Sequence, residues 1–334
     1  MIDIFNSDSF GTVELTSAIN VVPNMYGRLQ QLGVFPDKGR RTRTVALERK
    51  NGVLNLLPSR PVGGPASKGT TAKRSLKNLT IPHFPHEDVV LAEDVQGVRA
   101  FGTDNQLQGA QDLINDKLIE HANKHNITKE FLRWGAIKGL ILDADGSTLL
   151  DVFAEFAVTQ EVEDFAFSTA NENIAQLVRT LKRYMETNAM GVTYDHIHVM
   201  CSPGWFDSFI GHANVEKFYL TFLNGRTLNN DQRGGFPFQD VVFEEHSGQA
   251  TDLAGTVRKF IPDNEAIAFP VGTTGLFETA LAPADFMETV NTIGLPYYAK
   301  LERMKFDRGV EIHTQQNPLP ICQRPELLVR LTKS

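Results

Sequence analysis

From about Asp104 to Trp134 the apolar positions Leu107, Ala110, Ile114, Leu118 and Ala122 recur at spacings of three and four, with Leu113 and Ile119 widening the stripe. That period predicts a long amphipathic helix. Residues 136–153 hold two apolar runs about Asp145-Gly146, a turn signal, and so predict a hairpin. A second helix is predicted at roughly 171–188. There Ile174, Leu177, Val178, Leu181 and Met185 share one face, while Arg179, Lys182 and Arg183 take the other sides.

Tyr194 to Cys201 alternates as a strand does, and Ser202-Pro203 then opens a helix, with Ser at the cap and Pro in the first turn. Residues 224–239 are rich in Gly and Asn and predict an exposed loop. Val241 to Glu244 and Ala266 to Phe269 predict strands, and the chain from Leu295 onward is β-like, broken by Asn317-Pro318-Leu319-Pro320 and Arg324-Pro325. No internal repeat is present.

A different pattern occupies residues 38–82. Thr42 to Leu47 and Val53 to Leu57 favour β-structure about Asn51-Gly52, a Pro- and Gly-rich stretch follows at 58–69, and Leu76 to Ile81 returns as a strand. The reading is a long two-stranded arm with an irregular tip, too poor in large apolar residues to make its own core. Charge sharpens the picture. Lys38, Arg40, Arg41, Arg43, Arg49, Lys50, Arg60, Lys68, Lys73, Arg74 and Lys77 face a single acid, Glu48, so this segment is +10 within a chain of net charge −7. So much positive charge repels itself unless something negative faces it, which makes these eleven residues the candidate inter-subunit contacts. Nucleic acid would also serve, but residues 38–77 contain no Phe, Tyr or Trp on which bases could stack. A protein surface fits better.

Composition excludes several classes. With 334 residues, 41% hydrophobic and 22% charged, the chain is an ordinary globular protein of about two domains. No run of 18 apolar residues occurs, and the first residues are acidic where a secretory signal is basic, so neither membrane insertion nor export by that route is expected. Two distant cysteines, Cys201 and Cys322, offer no disulfide framework and suit a reducing site of synthesis.

Motifs for chemistry are absent. No Gly-Lys pair exists for a Walker loop, and Gly-x-Gly-x-x-Gly, Gly-x-Ser-x-Gly and His-Glu-x-x-His all fail. Asp143-Ala144-Asp145-Gly146 lacks the glycine and glutamate positions of a calcium loop and reads as a turn. His196 and His198 share a strand face but lack a third metal ligand. Cys201, before a helix N-terminus, is the best nucleophile candidate, yet no base pairs with it, so it reads as core packing. No catalytic, cofactor or metal residue is assigned.

The stretch Asp88-Val89-Val90-Leu91-Ala92-Glu93-Asp94-Val95-Gln96-Gly97-Val98-Arg99, then Lys138-Gly139 with Asp143 to Gly146, Ser202 to Phe206 with His212 and Val215, Tyr298-Ala299-Lys300, and Gln315-Gln316-Asn317-Pro318-Leu319-Pro320 with Arg324-Pro325 follow in a familiar order. Over nearly the whole chain it resembles the lambda-type major capsid proteins of tailed bacteriophages. The resemblance implies an α+β Hong Kong 97-type capsid fold. Its parts would be an N-terminal arm (1–37), an extended β-hairpin loop (38–82), a peripheral domain with a long spine helix (83–165 and 280–334) and an axial domain (166–279). It implies a structural protein, not an enzyme, that builds hexamers and pentamers into an icosahedral virion shell around double-stranded DNA without reading its sequence. Implied partners are a scaffolding protein, a portal and, in some relatives, a decoration protein, with assembly in the host cytoplasm. The alternatives are a nucleic-acid-binding protein using residues 38–77, a same-fold nanocompartment shell and, more remotely, a Cys201-dependent hydrolase.

Overall fold

The computed structural model describes residues 27–50, 74–97, 106–169, 171–222, 232–252 and 254–334. After the helical turn Arg28–Gln31 come β1 (Asp37–Gly39) and the strands β2 (Thr44–Lys50) and β3 (Arg74–Thr80). β4 (Phe84–Leu91) leads through the short helix Ala92–Gly97 to the long helix Gln106–Lys138. A hairpin, β5 (Leu140–Leu142) and β6 (Thr148–Asp151), is followed by the helix Val152–Phe156 and β7 (Val162–Asp164). The middle portion holds the helix Ile174–Ala189, β8 (His196–Cys201), the helices Pro203–Ile210 and Ala213–Phe222, β9 (Phe236–Phe238) and β10 (Val241–Glu245). β11 (Gln249–Thr251), β12 (Val257–Lys259) and β13 (Glu265–Val271) complete it. The return comprises β14 (Phe277–Leu281), β15 (Tyr298–Arg303), β16 (Gly309–Gln316), β17 (Pro318–Cys322) and β18 (Val329–Thr332).

A mixed six-stranded sheet, ordered β7-β18-β13-β8-β10-β9, holds the main core. Residues 266–271 of β13 are all buried, as in a strand covered on both faces. The helix Ile174–Ala189 lays Ile174, Val178, Leu181, Met185 and Ala189 on the core, and the Asn173 side chain caps it by accepting from the Gln176 N–H at 3.1 Å. Trp205 and Phe209 of the next helix stack over Phe243. Ser202 stands at that helix's N-cap and Pro203 in its first turn, although the serine hydroxyl makes no cap bond. Two strands from the ranges expected to be peripheral, β7 and β18, hydrogen-bond into this sheet, so sheet membership crosses the expected divisions at 165/166 and 279/280.

Within the expected loop 224–239, residues 236–238 form an edge strand that buries Phe236 and Phe238. An edge tolerates Pro237, whose ring removes a donor that faces no neighbour. Residues 224–231 of that loop, and the expected strand Val53 to Leu57, lie outside the described residues.

The second layer is a three-stranded antiparallel sheet, β15-β16-β4, packed on the long helix. Ile114, Leu118 and Ala122 meet Val90, Tyr297, Ala299 and Ile312 in a satellite core. Ile119, expected to widen the apolar stripe, is exposed instead. β4 is an edge strand. Its outward N–H groups at Val89 and Leu91 donate to the carboxylates of Asp88 and Asp94, at 2.8 and 2.9 Å.

From residue 121 onward one buried side of the helix is polar, with His121, His125, Asn126, Lys129, Glu130 and Arg133, while Phe131, Leu132, Trp134, Ala136 and Ile137 join the main core. Arg133, 1% exposed, donates to the Gln30 side chain, the Phe35 carbonyl, Asp37 and Thr279. Glu130 accepts from the Leu29 N–H at 2.9 Å, and Lys129 lies 3.4 Å from Asp37. This ionic seam straps residues 28–37 to the helix.

Candidate assembly interface

The basic arm is a two-stranded ladder running from Thr44↔Thr80 to Lys50↔Arg74. Val45 and Leu79 face one another across it and are buried with Ile81 in the main core, so the root is anchored. Thr44, Ala46, Lys77, Asn78 and Thr80 are exposed.

Chain geometry at the root is set by Gly39. A Cβ there would lie 2.4 Å from a methyl of Ile293 and 2.5 Å from the Gly294 carbonyl, so no other residue fits without displacement. This close approach allows the Arg40 N–H to donate to Leu281 O at 2.7 Å and the Gly294 N–H to donate to Arg40 O at 2.9 Å. β1 then runs parallel to β14, bringing Lys38 and Arg40 onto the two carboxylate oxygens of Glu278. The Glu278 side chain is 2% exposed. Lys77 pairs with Glu155 at 3.2 Å.

Three of the eleven predicted contact residues, Lys38, Arg40 and Lys77, therefore have acidic partners within their own chain. Arg41 and Arg43 are exposed on the bend between β1 and β2. The Asp285 carboxyl is held below its ordinary range chiefly by a hydrogen bond from Gln315, with the Arg43 charge a smaller contribution. Arg49 and Lys50 lie on β2 and Arg74 on β3, while Arg60, Lys68 and Lys73 lie outside the described residues.

A second anchor holds the segment before the arm. Arg28 donates to both oxygens of Glu244, at 2.6 and 2.8 Å, and His198 sits 3.1 Å from the same carboxylate. Burial opposes ionisation of Glu244, but the hydrogen bonds from His198 and Arg28 outweigh it and hold the carboxyl at about 2. Neither Glu244 nor Glu278 was picked out from the sequence. A glutamate inside an apolar strand, as in Phe277-Glu278-Thr279-Ala280-Leu281, is the signal that points to a fixed cation.

The alternative chemical candidates take structural places. Cys201 is fully buried, and burial pushes its thiol well above the ordinary range, away from a nucleophile's. His198 is committed to Glu244, with the His196 ring 5.8 Å away, and no group of three or more His, Cys, Asp or Glu among the described residues is arranged to hold a metal. Asp143 to Gly146 closes the β5–β6 hairpin, with Gly146 N–H donating to Asp143 O.

The family model described as Phage major capsid protein E matches residues 11–333. The major capsid protein of Salmonella phage Felix O1 (isolate Felix O1-VT1) is 26% identical, over 96% of this chain and 95% of its own. That of Pseudomonas phage KPP10 is 28% identical over 97% of each. Among solved structures, the putative capsid protein of a prophage of E. coli CFT073 superposes with a TM-score of 0.62 at 14% identity, covering 97% of this chain and 99% of that one. The mature capsid of bacteriophage PhiM1 gives 0.53 at 12% identity, covering 93% and 88%. Such low identities concern the fold alone, whereas the family match spans nearly the whole sequence. The chain belongs to the phage major capsid protein E family, has the α+β Hong Kong 97-type fold, and is a major capsid protein that self-associates into the icosahedral shell of a tailed phage virion.

Proposed function

We propose that the subunit assembles as hexamers and pentamers around double-stranded DNA, and that its basic loop, residues 38–82, crosses onto a neighbouring subunit. The observation that carries this reading is the β2–β3 ladder. It pairs with no other strand among the described residues, and around its buried Val45 and Leu79 the described positions Thr44, Ala46, Lys77, Asn78 and Thr80 are exposed. An isolated two-stranded ribbon is marginal in water, so it needs another surface, and obligate assemblies supply interfaces above ~2,000 Å². The absence of aromatic residues from 38–77 favours protein over stacked bases as that surface.

In this reading residues 1–37 form the N-terminal arm, 83–165 with 280–334 the peripheral domain, and 166–279 the axial domain, with β7 and β18 reaching into the axial sheet. A scaffolding protein and a portal are its partners, assembly takes place in the host cytoplasm, and no reaction is assigned to the chain. Expression of the full chain with its scaffolding protein, followed by sedimentation and negative-stain microscopy, tests the reading. Closed particles with fivefold and sixfold capsomers are expected. Subunits that stay monomeric under those conditions overturn it.

A further inference from the structure

β15 and β16 are joined by the loop Lys305 to Arg308, closed by the Met304 N–H donating to Gly309 O at 3.0 Å. Phe306 at its tip is 88% exposed and holds φ 65°, left-handed backbone that a bulky residue rarely adopts. A phenyl ring left in water and a strained backbone both raise the free energy of the free subunit. Strain kept at one exposed aromatic points to a contact that uses it. The Arg308 guanidinium lies over the ring, 5.7 Å from its centre. Lys305 and Arg308 are exposed on either side of it and form no ion pair among the described residues.

A cleft of about 420 Å³ has the complementary character. It opens where the long helix, the start of β4, β5 and the β11–β12 hairpin meet. Phe84, Ile127, Phe131 and Leu142 make its walls apolar, and Asp143 and Asp252 also line it. Asp145 is exposed on the same turn as Asp143, and Arg258, which donates to Ala144 O and to Asp252, is the cation on that rim. Three acids thus face one base, whereas the loop sets two cations against Asp307. Phe84 pairs with Gln316 and Leu91 with Gly309, so cleft and loop lie at opposite ends of β4, roughly 24 Å apart at ~3.4 Å per residue. A subunit cannot seat its own loop in its own cleft.

We propose that Phe306 of one subunit seats in this cleft of a second copy of the chain, with Lys305 and Arg308 beside the aspartates at its rim. The inference rests on the self-association of the chain and not on the reading of residues 38–82. A seated aromatic bordered by charge is the usual form of an interface anchor, and the opposite charge balance of loop and rim orients it. Because the two parts lie at opposite ends of one sheet, the contact runs head to tail, and its repetition by rotation closes a ring. Nucleic acid is the other occupant that a basic, aromatic loop could take. Ring-on-base stacking is a device for single strands, whereas a duplex keeps its bases stacked on one another.

Phe306→Asn separates strain from contact. Asparagine accepts left-handed backbone, so the subunit's thermal midpoint should stay or rise, while the subunit concentration needed to form particles should rise by about tenfold or more. Normal assembly overturns the inference, and a lower midpoint does too, since the ring would then be packing on its own chain. Normal assembly with weakened binding of duplex DNA assigns the loop to the genome instead. Ala250→Trp fills the cleft from β11 and should raise the assembly threshold similarly, with circular dichroism unchanged. Combined with Phe306→Asn it should add little, because both remove one contact. Full additivity, or normal assembly of the Ala250→Trp variant, overturns the pairing.

A cross-link reads the contact with the anchor in place. Lys305→Cys with Ala144→Cys keeps Phe306 and puts thiols on the two sides of its seat. A short bismaleimide should then link chains into multimers in particles and leave free subunits unlinked, and both native cysteines are buried and do not compete. Particles whose chains stay unlinked overturn the pairing, whatever Ala250→Trp does to folding.

Discussion

The six-stranded sheet and the inward polar side chains of the long helix are both buried, but by opposite chemistry. In the sheet, Trp205, Phe209, Phe243, Phe269 and their aliphatic neighbours fill space, and each side chain has many interchangeable contacts. In the seam, Arg133, Asp37, Lys129, Glu130, His121 and His125 each depend on particular partners a few ångströms away. A core of the first kind tolerates reshaping, since hydrophobic swaps of similar volume cost little. A seam of the second kind fixes one position of the N-terminal strap on the helix, and losing one partner leaves another buried and unsatisfied.

The largest expected difference is in response to acid. Burial holds His121 at about 4 and His125 at about 3, below the ordinary value of 6.5, with nearby His86, Lys124 and, for His125, His313 adding repulsion and Asp88 opposing it at His121. Both therefore stay neutral in the folded subunit and become charged below pH 6.5 in the unfolded chain. Their contribution is intact above pH 6.5 and is lost as pH falls toward 4, with a slope of up to about 1.4 kcal/mol per pH unit for each histidine. Urea midpoints measured from pH 7 to 4 check this. His121→Gln with His125→Gln should flatten the slope, and an unchanged slope would place the acid response elsewhere.

Next in size is a matched pair of substitutions. Arg133→Met leaves the buried Thr279 hydroxyl and Phe35 carbonyl without their donor and should cost about 2–4 kcal/mol. Ile267→Leu, in the sheet, should cost less than about 1.5 kcal/mol. Equal losses in equilibrium denaturation would erase the distinction between the two regions.

Glu278→Gln probes the arm's root, where the buried carboxylate serves two cations whose own side chains are 48% and 37% exposed. Because water can partly replace the lost partner, about 1–2 kcal/mol is expected, read from the same denaturation curves. Smallest of all, Cys201→Ala removes one packed sulfur and should cost about 1 kcal/mol, with particle formation intact by microscopy.

Much of the architecture was legible. The strands near 196, 241 and 266 announce themselves through apolar runs, and the arm through Val45 and Leu79 within a basic, core-poor segment. The seam was hidden because His121, His125, Lys129 and Arg133 recur every fourth residue, and a polar stripe at that spacing reads as a solvated face. Elements far away in sequence turn that face inward: β4 and β16 cover His121 and His125, and residues 28–37 cover Lys129 and Arg133. The arm's charge was visible as a total but not in its division. Lys38 and Arg40 are spent on Glu278, a partner 240 and 238 positions away, and no local pattern reports such a pairing.

Asp88 on the edge strand β4 and Asp94 in the short helix that follows it bear on a hazard that a shell protein meets before the shell exists. Before assembly an open strand edge is a template on which chains stack without limit. Asp88 and Asp94 occupy the outward amides of Val89 and Leu91, so that edge offers no donors there to a stray strand. Fibre growth is blocked at its first hydrogen bonds, while side-chain contacts remain free to form, and the subunit pool is kept for closed particles.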